Sequence, residues 1–134
     1  MSPRLLERLH GHQAQILAII GDKAPLLDAD GPHDVAGLAR ARWSMVRALT
    51  AYSLFKHHEI FDPMIAAADP ADLPHWQRNK QACLDLADEF RAYVRKWSAA
   101  DVAARWDEYR PAARRMIARI RDHMARERIA LKRR

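Results

Sequence analysis

A chain of 134 residues with one cysteine, four glycines and a formal charge of +6 has the length of one domain, 1–134, and buries a core without disulfide staples. The lone Cys83 excludes an internal disulfide and a multi-cysteine metal knot, which fits a reducing compartment. Ala, Leu, Arg, Glu and Asp abound while Val, Thr and Ile form no period-two runs, so a sheet is excluded and an all-α protein expected.

The N-terminal stretch MSPRLLERLHGHQ lacks the apolar core of a signal peptide, and no run approaches the roughly 20 apolar residues that span a bilayer. The expected location is the cytoplasm, with no membrane contact. The first helix is predicted over 3–20, after the cap candidate Ser2 and before Gly21. Leu5, Leu9, Ile16 and Ile20 recur at helical spacing, with His12 at the edge of that stripe. Pro25 and Pro32 break the following loop.

The second helix starts near His33 and lines up Val35, Leu38, Met45, Leu49, Tyr52 and Ile60. Pro63 should kink or end it, because proline removes a helical donor and clashes with the preceding turn. A third helix is predicted over 75–97, with Cys83, Leu86, Phe90, Val94 and Trp97 on its stripe. Ser98 and Asp101, three apart, read as a capping box opening the fourth helix. That helix carries Val102, Trp106, Ala113, Met116, Ile117 and Ile120, then His123, Glu127 and Leu131; Pro111 should bend or divide it. Four amphipathic helices with short connections predict an antiparallel up-down four-helix bundle. Trp43, Trp76, Trp97 and Trp106 are expected to pack the bundle and plug its ends.

A faint repeat runs through the chain. HQAQIL at 12–17 resembles KQACLD at 80–85, and HDVAGLARARW at 33–43 resembles ADVAARWDEYR at 100–110, both at an offset of about 67 residues. Each half is then one helical hairpin. By the repeat, Lys56 takes the place of His123, and Lys80 that of His12.

His123 and Glu127 stand out because a four-residue step puts both on one helical face, with Glu127 inside the apolar stripe. A carboxylate there is costly unless a cation, a metal or hydrogen bonds compensate it. Imidazole plus carboxylate at this spacing is how a helical bundle presents ligands to iron, manganese or zinc. The competing reading pairs Glu127 with an arginine at the bundle's end and leaves His123 as a half-buried core residue. On the second helix His57 and Glu59 border the stripe, His58 points away from it, and Lys56 falls within it.

With His12 in GHQAQI, HHEIFDP on the second helix and HMARERIAL on the fourth, the chain resembles a hemerythrin-like (HHE cation-binding) domain. In that family the second and fourth helices each carry a His-x-x-x-Glu step, and the first and third each supply a histidine. Together these hold a carboxylate-bridged di-iron centre that binds oxygen, stores iron or handles reactive oxygen and nitrogen species. Carried over, His123 and Glu127 match the fourth-helix step, and His12 the first-helix histidine.

The second helix departs from the pattern. Aligned on Pro63 the step falls on Leu54 and His58; aligned on Glu59 it falls on Phe55 and Glu59. The third helix has no histidine near 79–83. The resemblance therefore implies a reduced site: one iron or zinc ion on His12, His123 and Glu127, completed by His58 or Glu59. The alternative is a metal-free bundle in which Lys56 and Lys80 supply the positive charge, serving as a protein-interaction or sensing module.

A weaker alternative is nucleic-acid association through the basic stretch 110–134, whose arginines otherwise read as a solvated face. An unidentified protein partner, or a second copy of the chain, is expected ahead of nucleic acid. The sequence holds no Gly-rich phosphate loop, nucleophile elbow or cysteine–histidine arrangement, which favours a non-enzymatic role.

Overall fold

The computed structural model describes residues 1–132 and, among them, contains no strand. Helix α1 spans Pro3–Lys23, and the Ser2 side chain caps it by accepting from the Leu5 N–H at 3.2 Å. The helix runs through Gly21, beyond the expected stop at residue 20, because no glycine adopts positive φ to end it. A 3-10 turn, Ala24–Asp28, follows with Pro25 near its start, where no backbone donor is needed.

Helix α2 spans Val35–Lys56, capped by Asp34, whose carboxylate accepts from the Gly37 N–H at 2.9 Å. It then widens into a π turn, His57–Phe61, and continues as the short α3, Asp62–Ala67. Pro63 thus sits in the first turn of α3 rather than ending the helix. The π turn lies directly before the proline, whose missing N–H removes one bond from the helical ladder.

Helix α4 spans Leu73–Ala99, with Pro74 in its first turn. Helix α5 spans Trp106–Lys132. Ser98 lies inside α4 rather than opening the next helix, so the expected capping box does not form; Asp101 caps a separate turn, accepting from the Ala104 N–H at 3.1 Å. Pro111 does not divide α5, which loses only the bond to the Asp107 carbonyl four residues earlier.

The four long helices pack on a main core that includes Leu9, Ile16, Tyr52, Phe61, Phe90 and Ile120. A second cluster near the 3-10 turn holds Leu27, Trp97, Trp106 and Tyr109. Trp76, Trp97 and Trp106 are buried as expected, but Trp43 is not, being 50% exposed on the outer face of α2. Two polar contacts join positions 67 apart, the offset of the sequence repeat: Arg42 with Tyr109, and Lys56 with His123. Equivalent positions of the two halves therefore meet in the interior.

Candidate functional site

The second of those contacts belongs to a buried polar cluster. Lys56, the last residue of α2, is 1% exposed, and Glu127 and His123 of α5 are 3% and 5% exposed. The Lys56 ammonium donates to both oxygens of Glu127, at 2.9 and 3.1 Å. His123 Nε2 lies 3.2 Å from Glu127 Oε2 and 3.4 Å from Lys56 Nζ. With a proton on Nε2 the ring donates to the carboxylate; without one it accepts from the ammonium.

Tyr52, one helical turn before Lys56, donates its hydroxyl proton to Glu127 Oε1. That hydroxyl accepts from Gln13 Nε2 at 2.9 Å, and Gln13 Oε1 accepts from Arg128 Nε at 2.6 Å. A directed chain of donors thus runs from Arg128 through Gln13 and Tyr52 to the carboxylate, each bond polarising the next. The ammonium also sits 3.7 Å from the centre of the Tyr52 ring, an attractive placement for a cation over an aromatic face.

Burial alone would raise the carboxyl pKa of Glu127. The Lys56 charge, the His123 hydrogen bond and charge, and the Tyr52 hydroxyl outweigh it and hold the group down at about 2. Burial, followed by the adjacent Glu127 carboxylate, pushes the Tyr52 phenol well above its ordinary range. The carboxylate already accepts from the Tyr52 hydroxyl and, through both oxygens, from the Lys56 ammonium, so it is engaged within the protein. The gap beside Lys56, Tyr52 and Cys83 is about 30 Å³, enough for a water molecule or two and too small for a substrate. The geometry is that of a sealed ion pair, not of a general acid or base.

Of the sequence candidates, the fold brings together His123, Glu127 and Lys56. It does not bring the other candidates to them. His12 is half-buried and stacks on Phe55 at 5.0 Å, its pKa lowered by burial, then by the charges of Arg8 and Lys56. His58 and Glu59 are exposed, and Glu59 faces Arg8 at 3.8 Å. Lys80 lies at the surface, 2.8 Å from Asp62. The π turn explains the first pair: it carries Ile60 and Phe61 into the core and leaves His58 and Glu59 outside.

These residues do not fit a metal. Among the described residues no three His, Cys, Asp or Glu side chains converge as a cation site. More decisively, a fixed ammonium occupies the space between Glu127 and His123, where it engages the donor electrons and repels a second cation. The expected pairing of Glu127 with an arginine is replaced by Lys56, and His123 is fully rather than half buried.

Gln13 and Tyr52 are the members that sequence reading missed as polar partners. Gln13 completes a buried row of Leu9, Gln13, Ile16 and Ile20 at helical spacing, a row the sequence offers equally well with His12. Much of the basic face of α5 is engaged within the protein. Arg110 and Arg114 bond the Leu27 carbonyl, Arg119 pairs with Glu89, Arg126 with Asp122, and Arg128 with Gln13. No helix among the described residues is long and apolar enough to cross a membrane. Set against models of known families, characterised proteins and solved structures, the chain matches none.

Proposed function

We propose that this chain is an antiparallel, hemerythrin-like four-helix bundle that works without metal, as a protein-interaction module. The observation that carries the reading is the Lys56 ammonium, 2.9 Å from Glu127, at the position that the sequence repeat pairs with His123. With these buried groups committed to one another, the reading places the function at the surface. Protein purified without an affinity tag is expected to carry no stoichiometric metal. Iron, zinc and manganese should leave its melting temperature unchanged, since only a ligand that prefers the native state raises it. One metal per chain, lost on replacing His123, would overturn the proposal.

The surface that suits a partner is the groove between α2 and α4. Trp43 and Leu54, 50% and 54% exposed, lie along it, and Val46, Leu49 and Val94 form its apolar floor. Arg91 and Arg95 also line it, and the chain is basic overall. That charge disfavours a second copy and suits a partner protein presenting an acidic, amphipathic segment. The purified chain is expected to sediment as a monomer and to capture an acidic protein in a salt-sensitive way. Leu54→Glu and Arg95→Glu should each abolish capture without loss of helicity. A dimer that Leu54→Glu dissociates would instead assign the groove to a second copy.

A further inference from the structure

The groove between α2 and α4 is not uniform along its length. At one end the Ser53 hydroxyl lies 3.5 Å from the Cys83 sulfur, and at the other Arg42 reaches the Trp97 carbonyl at 3.3 Å. These contacts fix the register of the two walls, so that Leu54 and Leu84 share the first end and Trp43 and Arg95 the second. Leu84, like Leu54, stands out from the surface, at 40% exposed. Eleven residues separate the two ends on each helix, which is three turns or roughly 17 Å. Arg91 lies one turn inside Arg95 and pairs with Asp88, whereas Arg95 has no ion-pair partner among the described residues.

The open space between these ends is about 430 Å³. A cavity of about 150 Å³ takes one benzene ring, so roughly three large apolar side chains fill the groove. An extended peptide laid there would press its backbone N–H and C=O groups against Val46, Leu49 and Val94, where Thr50 and Ser53 bring the neutral hydroxyls. No strand among the described residues offers it a ladder. A helix satisfies its own backbone and packs its side-chain ridges between those of its neighbours.

On the reading of this groove as a partner surface, we infer that its occupant is a single amphipathic α-helix of about three turns, graded in the same sense as the groove. Its apolar anchors lie between Leu54 and Leu84, and its carboxylates lie beside Trp43 at the Arg91 and Arg95 end. Two or three carboxylates outweigh the roughly half charge at a helix pole. The position of the acid, not the direction of the peptide chain, therefore decides which way round the helix binds.

The test uses the full chain and synthetic peptides of about 15 residues, long enough to form a helix. Each carries leucines at steps of three and four. One has glutamates in its first turn, a second has them in its last turn, a third has lysines instead, and a fourth carries a central proline, which breaks the helix. Fluorescence anisotropy gives the affinities, and a nitroxide on the charged end, read by nitrogen–proton NMR, gives the orientation. Both glutamate peptides are expected to bind saturably, and the lysine and proline peptides at least tenfold more weakly. With either glutamate peptide the nitroxide should broaden amides around Arg95 and spare those around Leu84. Leu84→Glu should weaken binding tenfold or more, and Arg95→Glu should turn the preference towards the lysine peptide. Both positions are exposed, and circular dichroism checks that each variant keeps its helicity. Equal binding of the proline peptide would assign the groove to an extended acidic segment, overturning the helix but not the partner surface. Equal broadening at Leu84 and Arg95 would overturn the grading. Binding of no peptide would overturn the inference as a whole, while capture of an acidic protein that Leu54→Glu abolishes would still uphold the broader reading.

Discussion

Glu127→Gln is expected to destabilise the protein by about 3–5 kcal/mol, because it strands the Lys56 ammonium in the interior without a counter-charge. Lys56→Met should cost a comparable amount at neutral pH, this time stranding the carboxylate. The double variant should recover much of either loss, since replacing a buried pair by neutral groups of similar volume is often close to neutral. Urea melts of the four proteins form a cycle whose coupling energy isolates the pair. Chelator treatment should alter none of the four curves. Single variants within about 1 kcal/mol of the parent would mean that both groups are solvated when the chain moves, and the sealed-pair reading would fail.

The second large effect is on acid stability. Glu127 has a folded pKa of about 2 against an ordinary 4.5, so the folded state binds its proton more weakly than the unfolded chain does. The stabilisation is complete above about pH 4.5 and is lost as pH falls through the window down to about 2. Each pKa unit is worth about 1.4 kcal/mol, and the gap amounts to something on the order of 3 kcal/mol. Other carboxylates also titrate in this range; Glu108, half-exposed and hydrogen-bonded to Arg105 and Lys96, is another held down at about 2. The informative quantity is therefore the difference between the parent and the double variant Lys56→Met, Glu127→Gln. That difference should be flat above pH 5 and slope only below it. A parent and double variant that lose stability in parallel would remove Glu127 as the source.

The cluster also bears on what the chain can respond to. A buried pair fed by the Arg128–Gln13–Tyr52 chain links α1, α2 and α5 through directional bonds. Apolar contacts alone tolerate sliding of one helix on another by a fraction of a turn, and these bonds do not. The network is thus suited to holding one register of α1, α2 and α5.

Helix type and the rough position of each helix follow from the sequence alone, because apolar residues at steps of three and four leave few other structures open. The cap at Ser2 is a local interaction and was legible for the same reason. So was the placing of Lys56 and Glu127 within apolar stripes, which made each of them costly without a partner. The repeat offset of 67 residues, read from short Ala-rich matches, reappears in the contacts of Arg42 with Tyr109 and Lys56 with His123.

Which neighbour answers each buried charge was not legible. One step along a helix turns a side chain by about 100°, so periodicity does not separate His12 from Gln13 at the edge of a stripe; packing against Tyr52 does. The π turn at His57–Phe61 inserts a local change of phase that no regular period anticipates, and it leaves His58 and Glu59 facing outward. Lys80 pairs with Asp62 only because α3 comes to lie beside α4. Arg42, unremarked among the arginines of the chain, is buried because the second core cluster closes over it. Burial of a charge is a property of the space around it, and that space is made by residues distant in sequence.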